Sequence, residues 1–539
     1  MARAIPWNRW PRRRLAVLGA ALALIVSACG GSAGGGATGG SQANAGQPQR
    51  GGSMTFLVSG PLATWDRGLD PASAGSAPAQ FEDAIFGQLF RLDAKGNIQP
   101  VLATGYSFGN GNKDVTVTLR QGVKFQDGTP FDASAVAWNW QRDLQTPCPC
   151  NPSTSWPKLA PEGITTPDDH TVVVHMSQPY GAFIPALMTN SPNHIASPTA
   201  AQKMGDQFKI KPVGAGPFSV VSNVVSSQLV LQRYDGYFKQ GQPYLDKLTF
   251  KTIGGDQPAY QAVQAGQAQA AGLATPQIIQ QASQNGSLQV TKIPGVAPAT
   301  IQLNTAIPPF NDKRAREAIY YATDASAINS HVMGGMFTLT QSFTGPNGLF
   351  YTPKVPGYRT HDVAKAKQLV QQLGGLKVNL ISGNDTVSNL ELQALQSQWG
   401  EAGIQTTIFP FPDLARTIQE FQTKKWQAAL QLVGAYDPAV GAALPFRFLS
   451  GFVYSGVNDP TLDQMMSQAA ASTDKNQRTQ GYQKIAKYIS DNAYAPFLFA
   501  QTTAGAAVKG VTIPGITSQM PFPGGFSEPN WDEAWMTKA

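Results

Sequence analysis

Three cysteines and five histidines are the side chains with the widest chemical reach in this chain of 539 residues, and their spacing limits what they can do. Cys148 and Cys150 are separated by Pro149 alone, in Thr146-Pro147-Cys148-Pro149-Cys150-Asn151-Pro152. An oxidising compartment favours a disulfide between them, although a one-residue spacer makes a tight, strained ring. Free thiols, or two thiolates on a soft metal, are the alternatives, and the nearest histidine in sequence is His170. His170 and His175 bracket a run of valines, which reads as a strand with polar edges rather than as a metal site. No His-Glu-x-x-His or paired zinc spacing occurs. Gly34-Gly35-Gly36-Ala37-Thr38-Gly39 fits a dinucleotide-binding pattern, and Gly30-Gly31-Ser32-Ala33-Gly34 fits a nucleophile elbow. Neither follows a strand or opens a helix, the context that both motifs need. No catalytic residue, metal ligand or cofactor site is assigned.

Cys29 is the cysteine with a defined setting. Arg3, Arg9, Arg12, Arg13 and Arg14 precede an apolar run from Leu15 to Val26, followed by Ser27, Ala28, Cys29 and Gly30. A basic start, a short apolar segment and small residues at the exit predict a secretory signal over 1–28. The run is shorter than the roughly 20 residues of a membrane span. A cysteine directly after small residues resembles the bacterial lipobox, which implies lipidation of Cys29 and anchoring to the cell membrane from outside the cytoplasm. Ordinary secretion is the alternative. Arg12-Arg13 also leaves a twin-arginine export route open. Residues 29–52 follow as a tether. Ten of the 23 residues after Cys29 are glycine, and such a coil spans about 25 Å. Removing the five arginines before Cys29 lowers the formal charge from +7 to +2, which argues against nucleic acid as a partner.

The remaining chain is too long for one core and should form at least two domains. Gly52 to Val58 reads as a short apolar strand. Phe81, Ile85, Leu89 and Phe90 predict one buried helix face. Val115 to Leu119 alternates as a strand, and Asp132 caps a helix to Leu144. Another helix runs from Asn311 to about Ile328. Leu390 to Glu401 is helical, Gly403 ends it, and Ile404 to Phe409 is a strand, an α/β unit. Two helices, Thr461 to Ser472 and Lys475 to Ser490, precede an extended end on which Trp531 and Trp535 are docking anchors.

Leu119 to Asp132, with Gln126-Asp127-Gly128-Thr129-Pro130 at its centre, resembles the extracytoplasmic solute-binding proteins of family 5, the peptide- and nickel-type components of ABC importers. Further residues recur at the family's relative places: Asp70-Pro71, Lys211 to Phe218, Gln242 to Asp246, Leu303-Asn304-Thr305, Pro309 to Asp312 with Arg316-Glu317-Ala318, and Asp463, Asp474 and Arg478. The resemblance covers residues 53–539. It implies an α/β, two-lobed fold of the type II periplasmic-binding-protein kind with an extra subdomain in the first lobe. Residues 53–295 form lobe I, with a subdomain at about 80–210. Residues 296–500 form lobe II, and 501–539 return to lobe I. Crossover segments at Pro294–Ile301 and Phe499–Val508 are the hinge candidates.

The same resemblance implies a non-enzymatic, monomeric protein that closes over a small solute, most often a peptide, and passes it to a permease. Asp437, with Tyr436, Ala435 and Gly434, falls where peptide-binding members face the cleft, and Ser76 is a further candidate contact. Asp437 has a second reading, as the cap of a turn before Pro438. A sensor that presents its ligand to another protein, and a secreted hydrolase, are the rival functions. Fold alone does not choose among peptides, metal chelates, haem, sugars and opines.

Overall fold

A computed structural model describes residues 47–58, 76–145, 157–189, 191–411, 414–441, 443–452, 454–519 and 529–537. Cys29, Asp70-Pro71, Cys148 and Cys150 lie outside them. Among the described residues no helix is long and apolar enough to cross a membrane.

One long mixed sheet runs through both lobes. Its lobe I half is built around Ser53–Val58, parallel to Lys247–Thr252 on one side and to Ala270–Leu273 on the other. Met54, Phe56 and Val58 pack into one core while Leu57 packs into another on the opposite face. Burial on both faces is why this strand is apolar almost throughout rather than alternating. Beyond Lys247–Thr252 the sheet continues antiparallel through Gln228–Arg233 and Phe218–Val224. On the other side Ala270–Leu273 meets Phe497–Val508, which pairs with Leu288–Leu303. Lobe II follows from there, with Ala428–Leu432, Leu376–Gly383 and Ile404–Phe411 in spatial order.

The subdomain is a separate antiparallel sheet in the order Ala103–Gly109, Asp114–Leu119, Thr171–Met176, Leu159–Asp168. Val115, Val117 and Leu119 point inward with Val172, Val174 and Met176, while the residues between them face out. The helix Ala133–Gln145 starts where Asp132 Oδ1 accepts the Ala135 N–H at 2.9 Å. Gln126, from the motif that carried the family resemblance, ties this subdomain to lobe I. Its side-chain amide donates to Ile85 O at 3.0 Å and Phe218 O at 2.7 Å and accepts from Gly214 N–H at 3.2 Å. Gly214 is required there because a Cβ would fall 2.4 Å from Ile85 O and Phe86 Cα, so close approach rather than a left-handed turn demands glycine.

Two helices end earlier than their periodicity suggests. The first, Ser76–Phe86, stops at Gly87, whose φ of +68° is an ordinary helix terminator, and Phe90 belongs to the strand Phe90–Leu92. The helix after Asp312 covers only Lys313–Ala322. Thr323 is extended and accepts the Trp399 indole N–H at 3.0 Å, so a tertiary contact overrides the helical pattern.

Both crossover strands carry an interruption. Leu288–Leu303 and Phe497–Val508 pair regularly as far as Pro294 opposite Thr502, and then shift register at Pro298 and again at Thr300. Neither proline can donate to the ladder. Gly295 sits so close to the partner strand that a Cβ would lie 2.3 Å from Gln501 O. The Gln501 side chain leaves the strand and donates to Glu391 Oε1 at 3.0 Å, on the buried side of the helix Thr386–Glu401.

Trp531 is fully buried against Phe56 and Phe250, with ring centroids 5.3 and 5.1 Å away. Trp531→Ala should lower stability by about 3–5 kcal/mol; a chemical denaturation midpoint equal to wild type would refute this packing role. Burial pushes the Glu391 carboxyl up to about 8 and, with Asp532 adding its charge, the Asp83 carboxyl up to about 7. Both take up protons more readily in the folded chain. The stability tied to Glu391 and Asp83 is therefore complete below their ordinary values of 4.5 and 3.8 and is lost as pH rises through about 8 and about 7, respectively. Thermal unfolding at pH 5 and pH 8.5 should show a smaller alkaline loss in Glu391→Gln than in wild type.

Candidate functional site

In lobe II the chain passes from Leu376–Gly383 to Ile404–Phe411 on one side and then returns to Ala428–Leu432 on the other, all three parallel. The intervening helices cover opposite faces. Leu392, Leu395 and Trp399 pack with Val378 and Leu380, whereas Phe421 packs with Ile381 and Ala429. The crevice outside the carboxyl ends of parallel strands, at such a reversal, is where open α/β sheets take ligands. Lobe I repeats the arrangement around Ser53–Val58, and Ser76 is the first residue of the helix that follows this strand.

The segment after Leu432 leaves lobe II and enters the subdomain core. Val433 N–H donates to Pro298 O at 2.9 Å, which fastens the start of the segment to the interrupted crossover strand. At Gly434 a Cβ would lie 2.4 Å from Ala297 Cα, so the crossover strand leaves room for nothing larger. Ala435, Tyr436, Ala439, Val440 and Ala443 are buried in the core built by Val117, Phe183 and Leu187 of the subdomain. Tyr436 O–H donates to Gly96 O at 2.6 Å, and Tyr180 O–H donates to Ala439 O at 3.2 Å. A second seam forms where Gly181 and Ala182 N–H donate to Ala471 and Ala470 O at 3.2 and 3.3 Å. The four residues 434–437 and the subdomain are thus brought together.

Asp437 is fully buried and already has a cation from its own chain. Arg478 Nη2 lies 2.6 Å from Oδ1, and Ala439 N–H donates to the same oxygen at 2.9 Å. Val440 N–H closes the turn over Pro438 onto Asp437 O at 3.1 Å. The capping half of the expectation is therefore present, together with an ion pair. Arg478 is held further by Ala469 O at 3.2 Å and Tyr482 Oη at 3.1 Å, and it lies 4.8 Å over the Phe350 ring. Burial alone would lower the Arg478 pKa, but the charge of Asp437, together with Tyr482 and the hydrogen bonds to both, outweighs it and the net shift is upward. Burial, and then the charge of Asp437, raise the Tyr180 hydroxyl. Oδ2 of Asp437 is buried and has no hydrogen-bond partner among the described residues.

In the sequence Arg478 stands as a family marker with no evident partner. A physical signal was available, since Arg478, Tyr482, Ile485 and Ile489 share the buried face of the helix Lys475–Asp491. A cation on an apolar face needs a buried counter-charge or a set of polar acceptors. His175 serves the scaffold, bridging Asp114 Oδ1 and Thr165 Oγ1 at 3.0 Å each across the subdomain sheet.

Residues 97–451 match the family described as bacterial extracellular solute-binding proteins, family 5, middle region. The glutathione-binding protein GsiB of Salmonella paratyphi A is 30% identical over 348 residues, 63% of this chain and 66% of that protein. The match thus spans a little under two thirds of its length. Among solved structures, AgaA of A. tumefaciens R10 in complex with agropinic acid superposes with a TM-score of 0.76 at 23% identity, covering 90% of this chain and 99% of that one. A dipeptide-binding protein of Pseudoalteromonas sp. SM9913 in complex with Met-Leu gives 0.77 at 18% identity, covering 90% and 100%. These two likenesses establish the two-lobed fold. With the family match extending over most of the chain, the protein belongs to the bacterial extracellular solute-binding proteins of family 5.

Proposed function

We propose that the protein is the solute-binding component of an ABC importer, which captures a peptide or similar small solute between its lobes and delivers it to a permease. The observation that carries this reading is the pair of crossover strands shared by both lobes and interrupted at Pro294–Pro298. An interruption in an otherwise continuous ladder is where a bend costs least. Affinity then arises because a solute touches both lobes only when they close, so the solute selects the closed form. No bond is made or broken in this cycle. Lipid on Cys29 and the glycine-rich tether hold the protein at the outer face of the membrane, close to its permease.

Asp437 braces the closed arrangement in this reading. It neutralises Arg478 while its own segment fills the subdomain core. The unpartnered Oδ2 favours a second reading, in which the ammonium group of a peptide reaches the same carboxylate.

Small-angle scattering should show compaction when a tight-binding solute is added, and unchanged dimensions would sink the closing-cleft mechanism. Asp437→Asn separates the two readings of that residue. A brace predicts equal weakening toward a bound peptide and its N-acetylated form, with a loss of stability of about 3–5 kcal/mol from the broken pair. An ammonium anchor predicts that wild type prefers the free amine and that the variant loses this preference. For the tether, Cys29→Ser should move the protein from the membrane fraction to the soluble fraction; wild type found wholly soluble would dismiss the anchor.

A further inference from the structure

Among the described residues Arg447 lacks a counter-charge, as Arg316 does, but unlike Arg316 it is not saturated by backbone carbonyls. It lies on the short helix Leu444–Phe448, and its Nη2 donates to Leu432 O at 3.2 Å. The guanidinium sits 5.7 Å over the Tyr454 ring. Its Nε is buried and has no acceptor among the described residues. Among the described residues no carboxylate is paired with it. Arg91, Arg359 and Arg478 each face an acid, and Arg316 is satisfied by the carbonyls of Phe310 and Asn492. The missing acid shows in the direction of titration. Burial pushes Arg447 down to about 10 and lowers Arg316 as well, whereas Arg478, beside Asp437, is shifted upward.

Its place in the fold is as informative as its lack of a partner. Leu432 is the last residue of its strand, so the guanidinium sits beyond the carboxyl end of Ala428–Leu432, the strand parallel to Leu376–Gly383. That is the lobe II crevice where the chain reverses. The arginine is also held on a fixed base. Gln302, from the first crossover strand, donates its side-chain amide to Arg447 O at 3.1 Å and also to Tyr454 O. Phe446 and Phe452 stack beside it at 4.6 Å, with Tyr454 5.6 Å from Phe446. A desolvated guanidinium with free N–H groups on a rigid aromatic base is matched by one partner chemistry, a carboxylate that arrives from outside.

We propose that Arg447 receives a carboxylate of the bound solute in the lobe II crevice and makes the cleft selective for solutes that carry one. This rests on the solute-binding reading above. A structural arginine would be anchored by its own chain on most of its donors, as Arg316 and Arg478 are. Arg447 spends one donor on the end of a strand and holds the others ready.

The test uses the full chain, wild type, Arg447→Gln and Arg447→Met, with Met-Leu, other dipeptides and tripeptides, and glutathione, each as free acid and as C-terminal amide. Calorimetry on the solutes that bind should show wild type preferring the acid by about 30-fold or more, with the ratio near one in Arg447→Gln. Thermal melts supply a readout that needs no ligand. Arg447→Met should unfold at the wild-type temperature or above, because it removes an uncompensated buried charge, whereas Arg478→Met should unfold well below it. Equal binding of acid and amide by wild type overturns the inference and leaves the solute-binding reading standing. So does a preserved ratio in Arg447→Gln, or a large drop in melting temperature for Arg447→Met. If no solute in the set binds and scattering shows no compaction, the solute-binding reading fails, and this inference falls with it.

Discussion

The antiparallel ladder between Leu288–Leu303 and Phe497–Val508 is the constraint on which the rest of the molecule depends. On one side it completes the lobe I sheet through Ala270–Leu273, and on the other it starts lobe II through Ala428–Leu432. Hydrogen bonds in a sheet fix both spacing and register, so each lobe inherits its position from these two strands. The prolines at 294 and 298 weaken this ladder over a few residues without parting it. Two stiff bodies therefore share a backbone that is regular at both ends and irregular between. Gly434 and Gly295 then bring neighbouring segments against the irregular stretch closely enough that a methyl group would collide with backbone.

Buried charge follows the same geography. Asp437 and Arg478 lie where lobe II meets the subdomain, and Asp532 gathers Arg91 and Tyr237 where the late segment docks on lobe I. In each place segments far apart in sequence meet. A paired charge is a demanding contact, because neither partner tolerates the loss of the other once both have left water. Such pairs favour one arrangement of the segments over near alternatives that hydrophobic packing alone would also accept.

Much of this was legible before any coordinates, and the reasons are local. The alternation of Val115, Val117 and Leu119 faithfully reported a half-buried strand, and Asp132 and Gly403 marked a helix start and a helix end through their own backbone chemistry. The family motif was legible as scaffold, and Gln126 shows why it recurs, since one amide joins three segments. What stayed hidden was long-range. Nothing near Thr323 in sequence announces the Trp399 indole that ends its helix. Nothing near Asp437 announces Arg478, and only the helical spacing of Arg478 hinted that it was buried. Arg447 was passed over altogether, because an arginine beside phenylalanines on a short segment looks like a surface residue until its partners can be counted.

The burial of Trp531 between Phe56 and Phe250 has a consequence for biogenesis. The first strand of the body and a segment translated almost five hundred residues later belong to one core. Phe56 emerges early and stays without its neighbour until nearly the whole chain has been made. Lobe I therefore cannot consolidate during synthesis, and topology of this kind folds slowly because distant ends must find one another first. For a member of an extracellular family, such a delay keeps the chain threadable, so that translocation can run ahead of folding.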